Sequence, residues 1–310
     1  MGRLTRRQAL AALSGSFLTG AGCNDDRGRR SITASEQSAK REPLPFNVHP
    51  FGGRLGSLQE DALRRMGTPW IRITLGLVSD TEAARPYMRA APNVLGLVAD
   101  FRPGTIEPAG WPDLVEATLR RYPQVRLAEL LKAPDQLNGL SPERYVREFL
   151  RPGYERIRAR LPGVSVVAAS PGGDRRRLVD AFRRMTEAGA DDVCDLRGVH
   201  VYFEDPGTLS AIAGATRRPI IVGETGVNSP GQHVRWYSDV IPQMRSTLRA
   251  DLVFWYVLLE SPAFAPGPVP YSQLGSSVIA PEPDPAGQAQ AASGSALFPL
   301  LTGTALTRRR

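Results

Sequence analysis

Apolar and polar positions follow two alternating patterns from about residue 44 onward. Continuous apolar runs, such as WIRITLGL (70–77) and LVFWYVLLE (252–260), are typical of parallel strands that are buried on both faces. Between the runs lie amphipathic stretches, such as SLQEDALRRMG (57–67), which repeat apolar residues at helical spacing and end at glycine. The pattern therefore predicts strands that alternate with helices.

Eight such strand-then-helix units fit the chain. The predicted strands cover residues 44–51, 70–77, 93–100, 125–131, 164–170, 198–203, 218–225 and 252–260. The predicted helices cover residues 57–67, 81–91, 111–123, 141–162, 174–189, 208–216, 233–250 and 296–303, with Pro152 kinking or splitting the fourth. This α/β pattern closes most simply into a (β/α)8 TIM barrel. The rival, a doubly wound open sheet, lacks its glycine-rich loop after the first strand.

The first 43 residues precede this pattern and predict an export signal followed by a tether. A basic segment, MGRLTRRQ, leads into a short apolar stretch that ends before Cys23, too short to span a bilayer. Residues 23–43 are polar without apolar periodicity. The chain is therefore divided into an export signal (1–22), a flexible tether (23–43) and a barrel domain (44–310).

Two resemblances suggest the export route and the way in which the signal is processed. Thr5-Arg6-Arg7 resembles a twin-arginine signal, although Ala9 replaces the usual aromatic residue. LTGAGC resembles a lipoprotein processing box with lipid attached to Cys23, although Gly20 replaces the usual aliphatic residue. We expect a cell-envelope protein that touches the membrane only through this lipid anchor. Plain secretion, with cleavage nearby, is the alternative.

Composition excludes several function classes. The formal net charge is +8, but the arginines are spread along the chain and mixed with acids, which indicates solvated helix faces and not a nucleic-acid interface. Three histidines without paired spacing predict no metal site, and we expect no cofactor. No Gly-x-Ser-x-Gly elbow indicates a serine hydrolase. Besides Cys23 the chain has only Cys194, which we expect to be a buried apolar residue.

Chemistry in such a barrel lies at the carboxyl ends of the strands. Those ends carry His49, Thr74, Asp100, the LLKAPD segment (130–135), Ser170, His200, Tyr202, Glu224, Trp255 and Glu260. The set resembles the clan A retaining glycoside hydrolases, over residues ~44 to 305. The resemblance implies a carbohydrate ligand.

Two motifs carry most of this resemblance. PIIVGETGVNS resembles the seventh strand of the clan, which would make Glu224 the nucleophile; a structural glutamate bound to an arginine is the alternative. GVHVYF resembles the sixth strand, whose residues orient the nucleophile and line the sugar site. His200 and Tyr202 alternate to the same side there, although core packing would also explain them.

Two further motifs are shorter. Trp255 in FWYVLLE resembles the aromatic platform on which a sugar ring stacks, with a core tryptophan as the alternative. Arg72 in WIRI resembles the second-strand arginine that supports the nucleophile. An arginine inside a barrel strand needs a buried acid, and Glu224 is the expected partner.

The fourth strand departs from the clan. There the pattern is typically Glu-hydrophobic-x-Asn-Glu-Pro, and alignment on Pro134 puts Lys132 at the asparagine and Ala133 at the acid/base. Retaining hydrolysis needs two carboxyl groups ~5 Å apart, one as the nucleophile and one as the acid/base, and the methyl group of alanine can serve as neither. Glu129 would lie ~13 Å deeper along an extended strand. We expect Lys132 to pair with Glu224, keep it ionised and fill the site.

Two hypotheses follow. In the first, the protein is an exported glycoside hydrolase-like barrel that keeps Glu224, has lost retaining hydrolysis at Ala133 and either binds carbohydrate, with Lys132 among the ligand-binding residues, or has a structural role. In the second, it is an active glycosidase that cleaves O-glycosyl bonds with Glu224 as nucleophile and a relocated acid. The candidate acids are Asp135, Glu204, Asp205, Asp100 and Glu260.

Overall fold

The computed structural model describes residues 43–50, 52–75, 84–98, 107–137, 139–172, 175–259, 277–279, 285–286, 288–292 and 295–303. The chain divides into two units between Glu42 and Pro43, and every described residue belongs to the second unit, Pro43–Arg310. The predicted export signal, nearly all of the tether and Cys23 lie outside the described residues and stay predictions.

Eight parallel strands form a closed barrel in which each strand pairs with its neighbours in sequence. The strands are β1 (Phe46–Val48), β2 (Trp70–Leu75), β3 (Asn93–Val98), β4 (Val125–Leu130), β5 (Ser165–Ala168), β6 (Leu196–Val201), β7 (Ile220–Thr225) and β8 (Val253–Trp255). Because β1 pairs with both β2 and β8, the sheet has no edge. The (β/α)8 prediction is confirmed, and the open-sheet rival is wrong.

Helices surround this barrel. They are α1 (Gly53–Met66), α2 (Ala84–Ala90), α3 (Trp111–Arg121), α4 (Pro134–Leu137), α5 (Pro142–Tyr145), α6 (Arg151–Arg160), α7 (Arg175–Glu187), α8 (Pro206–Gly214), α9 (His233–Arg235), α10 (Ile241–Leu248) and α11 (Leu297–Thr302). The glycine predicted to end α1, Gly67, has a φ of 62°, the left-handed conformation that favours glycine. In the described part of the chain, no helix has the length and apolar character needed to cross a membrane.

Two helical stretches change their hydrogen-bond pattern just before a proline. A π turn, Val146–Leu150, joins α5 to α6, so the predicted interruption near Pro152 is present. A second π turn, Trp236–Val240, joins α9 to α10 one residue before Pro242. Proline has no N–H and clashes with the carbonyl four residues earlier, so the ladder must adjust at both places. The second interruption was not predicted.

A compact apolar cluster fills the amino-terminal half of the barrel. Trp70 and Leu196, the first residues of β2 and β6, pack against this cluster. Its buried members are Leu95, Val167, Ile221, Leu252 and Phe254. Polar side chains are thereby left for the opposite end, where the strands finish.

Cys194 is fully buried, as predicted, and burial raises the pKa of its thiol to about 12. Because only the thiolate reacts, we expect native protein with the Cys23→Ser substitution to react with a thiol reagent at pH 8 roughly a thousandfold more slowly than the unfolded chain. A stopped-flow comparison with and without denaturant measures this ratio. Similar rates in the two states would contradict the burial.

Candidate functional site

Glu224 lies near the end of β7 and is 4% exposed. Oε1 is 2.8 Å from both Arg72 Nη1 and Lys132 Nζ. Oε2 accepts a hydrogen bond of 2.9 Å from the Tyr202 hydroxyl and lies 3.5 Å from His200 Nδ1. The structure thus brings together four of the predicted site residues around the fifth, and both carboxylate oxygens are occupied.

These neighbours set the charge of Glu224. Burial alone would raise the pKa of its carboxyl, but His200, Lys132 and Arg72 together hold it well below the usual range. Burial also lowers the pKa of His200 to about 4, so at neutral pH the opposing charges come from Lys132 and Arg72. Glu224 is therefore a carboxylate with two cations, able to act as a nucleophile or ligand-binding group and unable to donate a proton.

Arg72 organises the floor of the site from β2. Its guanidinium binds Glu129 through Nε at 2.6 Å and Nη2 at 3.1 Å, while Nη1 donates to Glu224 and to Asn47 Oδ1 at 2.7 Å. Asn47 in turn donates to the Gly223 carbonyl at 2.9 Å. Arg72, Glu129 and Asn47 are all buried, so these bonds fix the geometry around Glu224. The roles of Glu129 and Asn47 were not predicted, although a polar residue within the apolar FNV run of β1 is the visible signal.

The β6–β7 register places His200 and Tyr202 against Glu224. A shift in pairing between Val199 and His200 puts His200 directly opposite Glu224. The His200 N–H donates to Ser170 Oγ at 2.8 Å, which ties β6 to the end of β5. The hydroxyl of Tyr202 is enclosed, and this enclosure and the nearby Glu224 raise its pKa, so it remains an O–H donor. The residue as a whole is 47% exposed.

The neutral state of His200 makes stability depend on pH. The folded pKa of about 4 lies below the usual 6.5, so the unfolded chain binds a proton across that interval that the folded protein does not. The contribution of His200 to the free energy of unfolding is thus fully present above about pH 6.5 and is lost as the pH falls towards 4. Between pH 6.5 and 4, the free energy of unfolding should therefore fall by about 3 kcal/mol less in His200→Asn than in wild type, as measured by urea unfolding. Parallel pH curves would contradict the assignment.

Lys132 and Ala133 follow the end of β4. Leu131 and Ala133 have φ angles of 71° and 38°, so the extended chain turns sharply on both sides of Lys132. The Lys132 amine is directed at Glu224 and lies 5.2 Å from the centre of the Tyr256 ring. Ala133 is 5% exposed and immediately precedes α4. The expected ion pair is present, but the sharp turn means that side-chain alternation cannot be counted from Glu129 through residue 133.

Among the described residues, the carboxylates that could serve as a relocated acid are bound to partners other than Glu224 and its neighbours. Asp135 Oδ1 accepts a hydrogen bond of 2.7 Å from the Gly172 N–H. Glu204 binds Arg235 through both carboxylate oxygens, at 2.8 and 2.6 Å, and this pairing lowers the pKa of Glu204. A general acid needs the opposite shift.

The Asp205 carboxylate also has hydrogen-bond partners already, since it caps the start of α8. Its side chain accepts hydrogen bonds from the Thr208 hydroxyl and from the Gly207 N–H, and the Thr208 hydroxyl contributes most to lowering the pKa of Asp205. Asp100 and Glu260, the other two candidates, lie outside the described residues. Within the described part of the chain, no group of three or more His, Cys, Asp or Glu side chains is placed to hold a metal ion.

The predicted aromatic platform is not where the sequence suggested. Trp255 is 0% exposed and packs edge-to-face on His233, with ring centres 4.9 Å apart, so it presents no face to a ligand. The next residue, Tyr256, is the one that joins the site: its ring lies 6.5 Å from Tyr202 and 5.8 Å from His49. Tyr256 was not predicted as a site residue, and because β8 ends at Trp255, side-chain alternation along the strand does not extend to it.

Comparisons with known proteins show which solved structures have a similar fold. No protein-family model and no curated protein matches the sequence. Solved structures that are similar include a family 39 glycoside hydrolase from Bacteroides cellulosilyticus WH2, at 14% identity and a TM-score of 0.59 over 84% of this chain. The chain spans 63% of the length of that hydrolase.

Two more glycoside hydrolases have similar structures. A family 51 α-L-arabinofuranosidase from Bifidobacterium longum is 11% identical with a TM-score of 0.57, over 85% of this chain and 72% of its own. A family 128 endo-β-1,3-glucanase from Amycolatopsis mediterranei, in complex with laminarihexaose, is 13% identical with a TM-score of 0.53, over 85% of this chain and all of its own. These similarities show a (β/α)8 fold like that of clan A glycoside hydrolases.

Proposed function

We propose that this barrel binds carbohydrate around Glu224 and has lost standard retaining hydrolysis. The observation that carries the proposal is the Lys132 amine, 2.8 Å from Glu224 Oε1, together with an alanine as the next residue in the chain. The resemblance of the fourth strand to the clan pattern assigns residue 133 to the acid/base. A lysine that neutralises the nucleophile-like carboxylate and an alanine that cannot donate a proton together favour binding over cleavage.

The surroundings of Glu224 suit a polyhydroxylated ring. Arg72 and Lys132 balance Glu129 and Glu224, so the buried cluster carries no net charge at neutral pH. Tyr202 offers an exposed aromatic surface at the mouth, and such surfaces bind the apolar faces of sugars. The similar family 128 glucanase was solved in complex with laminarihexaose, and a carbohydrate ligand here is consistent with that complex.

A glycan array tests the proposal with two matched variants. Tyr202 and Leu114 are the exposed large hydrophobic residues of the described chain, at 47% and 40% exposure, and Leu114 lies on α3, away from the Glu224 cluster. We expect wild type and Leu114→Ala to bind the same glycans and Tyr202→Ala to lose at least tenfold in affinity. Equal binding by all three proteins, or binding by none, would rule out this site as the carbohydrate site.

The cellular location is a proposal of its own. The basic and apolar start of the chain and the LTGAGC segment support export followed by lipid attachment at Cys23. We expect labelled palmitate to appear on the wild-type protein in the producing cells and to be absent from Cys23→Ser. Equal labelling of the two proteins would mean that the lipid is not attached at Cys23. Unlabelled wild-type protein recovered from the culture medium would favour plain secretion.

A further inference from the structure

The ammonium group of Lys132 has more hydrogen-bonding capacity than Glu224 uses. A lysine ammonium carries three N–H donors, and Lys132 has one carboxylate oxygen at 2.8 Å and the Tyr256 ring at 5.2 Å. Its side chain is 21% exposed, whereas those of Arg72 and Glu224 are 4% and 5% exposed. Lys132 is therefore the member of this cluster that can donate to a ligand.

Glu224 does not depend on Lys132 for its pairing. Arg72 still donates to Oε1, and the Tyr202 hydroxyl still donates to Oε2, when the lysine turns away. The four-carbon stem of lysine rotates easily, unlike the guanidinium of Arg72, which is held by three partners. Lys132 can thus share its charge with a ligand without leaving a buried carboxylate unpaired.

The charges near the mouth favour an anion beside this amine. Two carboxylates that follow strand ends, Asp135 and Glu204, are held by a backbone N–H and by Arg235 respectively. Glu224 itself is also paired with Arg72. Among the described residues, an approaching anionic group would therefore find an accessible ammonium beside carboxylates that already have partners.

We propose that Lys132 makes this site selective for acidic sugars, with the carboxylate of a uronic acid bound to the amine and the sugar ring lying against Tyr202. The inference rests on the proposed carbohydrate-binding function and adds the class of sugar. Lys132 thereby has a positive role in recognition, in addition to occupying the position of an asparagine.

Calorimetric titration with matched ligands tests this selectivity. The probes are tetrasaccharides of galacturonic, glucuronic and mannuronic acid, each paired with its carboxyl-reduced, neutral counterpart. For at least one pair we expect the acidic form to bind the purified protein roughly tenfold more tightly, since a charge-assisted hydrogen bond supports a ratio of that size. Raising the salt concentration to about 1 M should reduce the ratio, because the Debye length falls to about 3 Å.

Two single-charge variants locate the effect. Lys132→Gln should bring the ratio of affinities close to one. Arg126→Gln removes an exposed positive charge from the opposite, amino-terminal end of the same strand and should preserve the ratio. The salt dependence is measured on wild type and needs no variant, so it stands even if Lys132→Gln fails to fold.

The outcomes separate this inference from the proposed function. Equal affinity for acidic and neutral partners, a preference that survives in Lys132→Gln, or array binding confined to neutral glycans would overturn the selectivity and leave carbohydrate binding in place. An array without any bound glycan would overturn the proposed function itself. Acidic preference that depends on Lys132 supports both.

Discussion

Replacing Arg72 with methionine is expected to lower the free energy of unfolding by about 3–5 kcal/mol at pH 7. Arg72 is the shared partner of two buried carboxylates, Glu129 at 2.6 Å and Glu224 at 2.8 Å. Without it, Glu129 loses both of its hydrogen bonds from the guanidinium, and the cluster keeps only Lys132 as a cation. Urea unfolding of the two proteins measures the difference.

The control is an exposed arginine in a similar pair. Arg120→Met removes a helical pair with Glu116 in which the arginine side chain is 57% exposed, and we expect a much smaller loss of unfolding free energy, because solvent screens such a pair. Glu224 has a lowered pKa in the folded wild type, so its contribution is present above about pH 4.5 and declines as the pH falls further. The Arg72→Met deficit should therefore shrink in acid. A deficit as small as that of the control would contradict the buried network.

On the proposed assignment of residue 133 to the acid/base position, introducing a carboxylate there is expected to create hydrolytic activity. In Lys132→Asn/Ala133→Glu, the Lys132 ion pair with Glu224 Oε1 is removed and a carboxyl group is introduced at the position that the clan pattern gives to the proton donor. A general acid contributes ~10²–10⁴-fold, most for glycosides with poor leaving groups. We expect cleavage of an unactivated oligosaccharide at least ~100-fold above wild type, measured by chromatography of the products.

Two controls make that result interpretable. Adding Glu224→Gln to the double variant should abolish the new activity, because the nucleophile is then lost. Ala133→Glu alone should gain less, since Lys132 still binds Glu224. A double variant that keeps the circular dichroism spectrum of wild type and gains no activity would show that residue 133 is not the position of the lost acid.

The strands were predictable because their environment constrains sequence strongly. A parallel strand covered by helices on one side and the barrel interior on the other must be apolar over most of its length, as β3 (NVLGLV) and β7 (IIVGET) are. Polar residues at the ends of such strands then stand out. This is why Glu224, His200 and Tyr202 could be identified from the sequence and are found in contact.

The remaining features depend on backbone details and contacts between distant strands. The left-handed conformations of Leu131 and Ala133 break the alternation that predicts side-chain direction, and neither residue is a glycine that would have signalled a turn. The burial of Trp255 depends on packing against His233 in another segment. The role of Asn47 depends on the pairing of β1 with β2, which puts it directly opposite Arg72. None of these features leaves a periodic pattern in the sequence.

The central claim is that the site around Glu224 holds a sugar without cleaving it. The most direct measurement incubates wild-type protein with the glycan that binds best on the array and analyses the recovered glycan by mass spectrometry, with Glu224→Gln as the reference. We predict binding by wild type and recovery of the glycan at its full length from both proteins. Shorter products with wild type that are absent with Glu224→Gln would contradict the claim and establish an active glycosidase.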